Sequence, residues 1–331
     1  MADEQARRAA ATAEETGTLK SAFKLLLRDV LWSERREDCS GILQPLSGPQ
    51  VPRDTCGAPR NTPPVADNTI KLSSPATREF WEIPVLFEDE HLLALDKPAG
   101  LLTSFDRDDL ARPNLMKLLH AAIADGKPWT RARGLNYLAN AHRLDPETSG
   151  VLLLARSKPV LIALANLFGS ATPRLTCVAL VQGEPAGEAF EVNAKLAPFP
   201  GRPGVMRVDP KRGKKSRTQF QVRERFDGWT LLSCVPLASR PHQIRAHLRH
   251  TRLPVAGDRA YGGRLLLLSG LKKDFRLKEG RDERPLIATA ALHAEQLELA
   301  HPVTGANLKI TAPWPKDLMV AVKYLRRYAV T

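Results

Sequence analysis

The sequence predicts an α+β fold, built on a mixed and mostly antiparallel β-sheet with flanking helices. Short apolar runs are separated by turn residues, and helical spacing appears between only some of them, so there is no regular strand-helix repeat. The strongest local signal is a β-hairpin, in which Asp227-Gly228 joins residues 217–225 to residues 229–235. A fully parallel α/β sheet is therefore not expected.

The first quarter of the chain differs in composition from the rest. Residues 1–76 are predicted to be an N-terminal extension, with a helix at 19–32 followed by a Pro- and Ser-rich linker at 33–76. Residues 77–331 are predicted to be the folded domain. The linker could instead be an irregular arm that is ordered on the domain surface, and the helix could dock on the domain, contact a partner or do neither.

The elements of the folded domain follow from local patterns. Residues 83–87 and 92–95 are apolar and flank Glu88-Asp89-Glu90, which predicts two strands joined by a tight turn. Further helices are predicted at 114–124, 157–168 and 241–250, and further strands at 151–155, 175–181, 217–225, 229–235, 290–299 and 306–311.

The charge balance favours a polyanionic partner. Lys and Arg number 49 against 36 Asp and Glu, which gives a formal net charge of +13 in a chain of 331 residues. Nucleic acid is the first partner to expect from such an excess. A basic but otherwise ordinary soluble protein is the alternative, and the motifs must decide between the two.

Cysteine usage and hydropathy predict a reducing, cytoplasmic setting. The four cysteines lie far apart and form no C-x-x-C pair, so a zinc site is not expected. The longest apolar runs, such as 151–155 and 265–268, are far shorter than the roughly 20 residues that cross a bilayer, so no membrane span is expected. Residues 1–5 carry acids and lead into no apolar stretch, which argues against a secretory signal.

The most informative segment is His142-Arg143-Leu144-Asp145, which continues through Thr148-Ser149-Gly150 into the apolar run at 151–155. A loop that is anchored by a rigid strand is a favourable place to hold a nucleophile. Turn chemistry offers another interpretation, in which Asp145-Pro146 merely opens a turn that Ser149-Gly150 closes.

This segment resembles the signature His-Arg-Leu-Asp-x-x-Thr-Ser-Gly of the RluA-type pseudouridine synthases, and the resemblance extends from about residue 83 to residue 317. It implies a pseudouridine synthase fold with a central active-site cleft and a ribosomal or transfer RNA substrate whose target base is flipped out. In that family the Asp attacks the target nucleotide, and the released uracil rotates and is rejoined through carbon. Asp145 inherits the role of nucleophile and Arg143 that of the base-displacing side chain. The reaction is redox-neutral, so no cofactor is expected.

Two further segments carry the resemblance. Lys97-Pro98-Ala99-Gly100 matches a strand end near the family's cleft, where Lys97 either contacts phosphate or is solvated before a turn. Arg240-Pro241-His242-Gln243-Ile244-Arg245, which Gly257-Asp258 and Tyr261-Gly262 follow, matches Gly-Arg-x-His-Gln-Ile-Arg with Ser239 at the Gly position. Arg245 is the candidate partner of Asp145, because an Arg fork can bond a carboxylate bidentately and keep it ionised. The spacing of His242, His247 and His250 is not taken as a metal site.

Residues 211–218 carry five basic side chains, where the family has a Gly-Lys-x-x-x-Thr hairpin. Such a turn can bind several phosphates with a steep salt dependence, although it could also be a solvated loop. The residues predicted to contact RNA are Arg143, His142, Lys97, Arg240, His242, Gln243, Lys211, Lys214 and Lys215.

Cys177 is the main departure from the family, which has a Tyr at the corresponding strand position, where the ring packs on the uracil and can help to remove its proton. Cys177 is therefore either part of an altered catalytic site, with Asp145 and Arg245, or a small core residue. An active, monomeric uridine isomerase is the first hypothesis, and a non-catalytic RNA-binding or assembly protein is the second. A hydrolase that uses Ser149 lacks the G-x-S-x-G elbow.

Overall fold

The computed structural model describes residues 68–105, 112–170, 172–277 and 280–329. Its strands are β1 (Thr69–Ser74), β2 (Glu79–Glu88), β3 (Leu92–Lys97), β4 (Ala139–Asn140), β5 (Ser149–Ala155), β6 (Arg174–Gln182), β7 (Ala189–Asn193), β8 (Leu196–Pro198), β9 (Met206–Val208), β10 (Arg217–Phe226), β11 (Trp229–Pro236), β12 (Leu292–Ala300) and β13 (Asn307–Thr311). Its α-helices are α1 (Leu115–Ala124), α2 (Pro128–Ala132), α3 (Lys158–Gly169), α4 (Gln243–His250) and α5 (Lys316–Tyr328), and a short 3-10 helix spans Arg259–Tyr261.

One large sheet joins most of these strands in the order β1-β2-β3-β5-β12-β6-β11-β10-β7, with β4 beside β5 and β13 beside β12. From β2 onward the pairings are antiparallel, apart from the parallel pair of β5 and β12. β8 and β9 form a separate two-stranded antiparallel ribbon. The predicted α+β class with a mixed, mostly antiparallel sheet is confirmed.

The start of the fold differs from the prediction. The chain divides into residues 1–69 and 70–331, and the predicted helix at 19–32 lies outside the described residues, as does the linker up to residue 67. The end of the predicted linker is wrong, however, because Thr69–Ser74 forms β1. Ile70, Leu72 and Ser74 alternate as buried residues along it, which is the period of a strand with one face on the core.

The centre of the sheet is buried on both faces. All seven residues of β5 are buried, and the strand lies between β3 and β12. Burial on both faces explains why residues 151–155 are continuously apolar instead of alternating. The C-terminal helix α5 was not predicted from the sequence. It buries Leu318, Ala321, Val322 and Leu325 on one face. Their spacing is that of an amphipathic helix.

The parallel pairing of β5 with β12 explains why residue 150 is a glycine. Gly150 pairs with Ala294 and has φ of +112°, and a Cβ atom there would lie 2.2 Å from the carbonyl oxygen of Ala294. Only glycine allows the two backbones to approach this closely.

Within the described ranges, none of the helices combines the length and apolar character that crossing a bilayer requires.

Candidate active site

Asp145 lies on the loop between β4 and β5, and this loop is fixed on both sides of it. On one side, the Thr103 hydroxyl donates to the Leu144 carbonyl (2.9 Å) and accepts from the Leu144 N–H (3.3 Å). On the other side, the Gly100 N–H donates to the Pro146 carbonyl (2.7 Å). The Asp145 side chain is 22% exposed, so its carboxylate is held in a defined place and is still accessible to a substrate.

Arg245, in the first turn of α4, joins three carboxylates. Its Nε and Nη2 donate to the two oxygens of Asp258, at 2.6 and 2.9 Å. Its Nη1 donates to Glu147 Oε2 at 2.8 Å and to Asp145 Oδ2 at 3.4 Å. The predicted partnership of Arg245 with Asp145 is therefore present as a single long contact, and the bidentate geometry expected for it belongs to Asp258 instead.

The electrostatics of Arg245 follow from this arrangement. Its side chain is 1% exposed, and burial by itself would lower the pKa of the guanidinium. The hydrogen bonds and charge of Asp258, with the charges of Asp145 and Glu147, outweigh burial and raise the pKa above its usual value. Arg245 is thus a permanent cation in the interior beside a partly exposed pair of carboxylates.

His242 and Tyr261 form the other wall beside Asp145. His242 Nε2 lies 4.0 Å from Asp145 Oδ1, and its Nδ1 contacts the Tyr261 hydroxyl at 3.0 Å. The same hydroxyl accepts the Met206 N–H at 2.8 Å, and the Arg245 guanidinium lies 5.0 Å from the centre of the Tyr261 ring. Burial raises the pKa of Tyr261 to about 12, so its phenol stays protonated at neutral pH.

Three residues that surround Asp145 and Arg245 had no role in the prediction from sequence. Asp258 and Tyr261 lie within the third matching segment, and Glu147 is at a variable position of the Asp145 signature. An acid and a phenol that follow a motif Arg closely in the sequence indicate that they could contact it. The spacing along the chain does not reveal which groups meet.

His247, within α4, anchors the helix to the sheet. His247 Nδ1 contacts Thr218 Oγ1 at 2.9 Å, and its Nε2 contacts Ser216 Oγ at 3.0 Å and the Ala194 carbonyl at 3.2 Å. Burial lowers the pKa of His247, and both of its ring nitrogens already have protein partners. Among the described residues, no three His, Cys, Asp or Glu side chains are grouped as a metal site would require.

Three residues predicted to contact RNA are buried instead. Lys97 is fully buried, and its ammonium donates to the carbonyls of Pro98, Leu101 and Pro146, at 2.8, 2.7 and 3.3 Å. Three acceptors take up the three protons of an ammonium group, so Lys97 ties the strand end to the Asp145 loop. The prediction that it contacts phosphate is therefore wrong.

His142 and Gln243, which were also predicted to contact RNA, are buried as well. His142 is 8% exposed, accepts the Leu153 N–H at Nε2 (3.1 Å) and stacks on Phe168. Gln243 is 5% exposed, and its Nε2 donates to the Arg217 carbonyl and to Thr218 Oγ1, both at 3.0 Å. A side chain that is buried against the sheet cannot reach an RNA strand, so the prediction that these two residues contact RNA is wrong.

The other predicted RNA contacts lie at the surface. Arg143, Lys211, Lys214 and Lys215 are exposed. Arg240 is partly exposed, and its Nε donates to the Lys215 carbonyl at 3.2 Å, which ties the start of α4 to the basic loop. These positions are compatible with phosphate binding, which stays a prediction.

The basic loop at 211–215 has a defined shape. The Asp209 carboxylate accepts the N–H groups of Lys211 and Arg212, both at 3.0 Å. Gly213 is closely packed, since a Cβ atom there would lie 2.5 Å from the Asp209 carbonyl. The loop thus presents its lysines from a fixed turn.

Cys177 is a core residue by its surroundings. It is 2% exposed and pairs across the sheet with Cys234 on β11 and with Ala294 on β12. Burial, and then the charge of Asp145, raise the pKa of its thiol to about 12. A neutral thiol in the sheet offers neither a stacking surface nor a proton acceptor, so its geometry supports the core interpretation over a catalytic role.

Ser149 does contact a histidine, as the hydrolase hypothesis would require. Its hydroxyl lies 2.9 Å from His293 Nδ1, but His293 Nε2 faces the Ala312 carbonyl at 3.3 Å instead of a carboxylate. Both side chains are buried. The pair ties β5 to β12, and it does not form the nucleophile, base and acid of a hydrolase.

The chain resembles known proteins over about three quarters of its length. The model of the RNA pseudouridylate synthase family matches residues 91–250, which include Asp145 and Arg245. A ribosomal large subunit pseudouridine synthase D of Xylella fastidiosa is 34% identical over 248 residues, or 74% of this chain and 70% of the relative. A ribosomal large subunit pseudouridine synthase C of Vibrio vulnificus is 32% identical, over 73% of this chain and 69% of the relative.

A solved structure shares the fold. Human RNA pseudouridylate synthase domain containing 4 superposes with a TM-score of 0.57 and 22% identity, covering 73% of this chain and 92% of that one. At this level of identity the likeness concerns the fold alone.

Proposed function

We propose that this chain, which belongs to the RNA pseudouridylate synthase family, converts specific uridines of large-subunit ribosomal RNA into pseudouridine. RNA pseudouridine synthase activity follows from the family. The choice of RNA is supported by relatives of both the C and D types, whose names specify the ribosomal large subunit.

Asp145 is the nucleophile in this proposal, and the observation that carries it is the position of its carboxylate. Uridine and pseudouridine differ in that the sugar carbon C1′ is bonded to N1 in the first and to C5 in the second. A carboxylate can attack C1′, hold the sugar while the uracil turns, and then leave. Asp145 is partly exposed on a loop that is fixed on both sides, next to the permanent cation Arg245.

The target base must leave its stack to reach Asp145. Arg143 is exposed two residues before Asp145, and a planar guanidinium can stack in place of a base and bond phosphate at the same time. Arg143 therefore displaces the base, and the lysines of the basic loop hold the neighbouring backbone.

Residues 70–331 carry this activity, and the protein acts as a cytoplasmic monomer. One chain supplies Asp145, Arg245 and His242 to the same site, which supports a monomeric enzyme. The free thiols of Cys177 and Cys234 fit a reducing compartment.

The test compares the wild type with Asp145→Asn on total RNA from cells that lack the gene, with pseudouridine mapped by chemical labelling and reverse transcription. The wild type should restore sites in large-subunit ribosomal RNA, whereas Asp145→Asn should restore none. Asp125→Asn makes the same chemical change at an exposed ion pair with Lys127 and should act like the wild type.

Two results would contradict the proposal. Restored sites in transfer RNA alone would show that the substrate is wrong. If the wild type restored no site but bound RNA with a steep salt dependence, the chain would be a non-catalytic RNA-binding protein.

A further inference from the structure

The isomerisation requires a proton acceptor near Asp145. When C1′ becomes bonded to C5, that carbon still carries its hydrogen, while N1 has lost its bond to the sugar. The C5–H bond must then break, its electron pair must restore the C5–C6 double bond, and N1 must gain a proton. One proton is removed and one is added, so the step needs a base but no oxidant or reductant.

Cys177 cannot supply this base, because its buried thiol keeps its proton. The other polar groups around Asp145 are also committed. Lys97 donates to three carbonyls and Arg245 donates to three carboxylates. Glu147 Oε2 accepts from Arg245 Nη1 at 2.8 Å, so this oxygen is already paired in a charge-assisted hydrogen bond.

His242 remains, and its ring is held in place for the task. Its Nε2 faces Asp145 Oδ1 at 4.0 Å, and its Nδ1 contacts the Tyr261 hydroxyl, whose position is fixed by the Met206 N–H. The ring is partly accessible, with 18% of the side chain exposed. Imidazole is the side chain best suited to exchange protons near neutral pH.

The backbone of His242 gives an independent indication. Its φ is +50°, in the left-handed region that a non-glycine residue seldom adopts, and it lies immediately before α4. Such a conformation is strained for a residue with a side chain, and it persists where the surrounding structure imposes it. Here it accompanies an imidazole whose Nε2 faces Asp145 Oδ1.

We propose that His242 is the catalytic base of the reaction, an inference that rests on the proposed function of Asp145. C5 is two bonds from the carboxylate oxygen that C1′ is leaving, so a nitrogen 4.0 Å from Asp145 Oδ1 is within reach of the hydrogen on C5. The step uses the tautomer in which His242 Nδ1–H donates to the Tyr261 oxygen and Nε2 carries no proton. Nε2 takes the proton from C5, a proton from water goes to N1, and the imidazolium returns its Nε2 proton to water. Tyr261 is the positioning residue that orients the ring.

The experiment is a single-turnover assay on the large-subunit RNA, transcribed with either protium or deuterium at C5 of uridine. His242→Gln should lower the rate of pseudouridine formation by about 100-fold. It should also raise the deuterium isotope effect above the wild-type value, because proton removal becomes the slow step, whereas a variant with only a structural defect would be slow without such a rise. His250→Gln makes the same change at an exposed position at the end of α4 and should match the wild type in both readouts.

Tyr261→Phe keeps the base but removes the oxygen that contacts His242 Nδ1. It should lower the rate less than His242→Gln does and also raise the isotope effect, which keeps the proposal testable if His242→Gln folds poorly.

Three outcomes would overturn the inference. An unchanged rate and isotope effect in His242→Gln would assign proton removal to water. A raised isotope effect in Glu147→Gln, with none in His242→Gln, would assign it to Glu147. Absence of product from the wild type would instead refute the proposed function, and this inference with it.

Discussion

Arg245 donates to Asp258 through both Nε and Nη2, whereas it reaches Asp145 through Nη1 alone, at 3.4 Å. This division suits a nucleophile. A carboxylate that attacks C1′ loses its charge in the covalent intermediate, and a bidentate pair with a buried arginine would oppose that loss. Asp258 instead balances the charge of Arg245 and holds its guanidinium in place, so Asp145 lies next to a cation without being locked to it.

Asp258→Asn should therefore affect both stability and catalysis. Both side chains of the pair are 1% exposed, and removing one partner of a buried ion pair typically costs about 3 kcal/mol or more. We expect that loss in the free energy of unfolding by urea, and a fall in activity on the order of 100-fold as Arg245 shifts. Asp125→Asn, at an exposed pair, should change stability by less than about 1 kcal/mol. Equal effects of the two substitutions would refute the role of Asp258.

Gly150→Ala should destabilise the junction of β5 and β12. The new methyl group would lie 2.2 Å from the Ala294 carbonyl, at a φ of +112°, so steric overlap adds to backbone strain. We expect a loss of about 3 kcal/mol or more in the free energy of unfolding. Gly134→Ala is the matched control, since its φ is also positive but its Cβ would meet nothing within 4 Å, and it should cost about 1 kcal/mol. Similar losses in both variants would argue against the close approach.

Neutralising the basic loop should weaken RNA binding in a salt-dependent way. With Lys211, Lys214 and Lys215 all changed to Gln, the slope of log affinity against log salt should become shallower by about 2 to 3, because each phosphate contact contributes nearly one unit. Filter binding to large-subunit RNA over a range of salt concentrations measures this slope. The same change at Lys71, Lys309 and Lys323, which are exposed elsewhere, should leave the slope nearly unchanged. If the two triple variants have equal slopes, the loop is merely solvated.

His142 should make stability depend on pH in a defined window. Burial lowers its pKa from 6.5 to about 4, so the unfolded chain takes up a proton more readily than the folded one. The stabilisation of the folded state that His142 provides is complete above pH 6.5 and is lost as the pH drops toward 4. The loss in the free energy of unfolding over that range is about 3 kcal/mol.

The measurement is the free energy of unfolding between pH 7 and pH 4 for the wild type and for His142→Gln, which keeps an acceptor but does not titrate there. The wild type should lose about 3 kcal/mol more than the variant over this range. His250→Gln, at an exposed histidine, should follow the wild type, and parallel curves for the wild type and His142→Gln would contradict the assignment.

Elements whose cause is local could be predicted from the sequence. The hairpin of β10 and β11 forms around Asp227-Gly228 as predicted, because the turn residues and the strand period lie within a few positions of each other. Helix α1 begins where Asn114 accepts the Lys117 N–H, which is again a contact within one helical turn. The signature around Asp145 likewise identified the loop that the structure places at the site.

Contacts between distant segments could not be predicted in this way. The insertion of β12 between β5 and β6 is not encoded in any local pattern, and neither is the choice of Asp258 as the main partner of Arg245. The same holds for Lys97 and His142, whose polar types predicted exposure but whose atoms find partners in the interior. Burial of a polar group depends on the acceptors and donors that remote parts of the chain bring to it, and spacing along the chain carries no information about those.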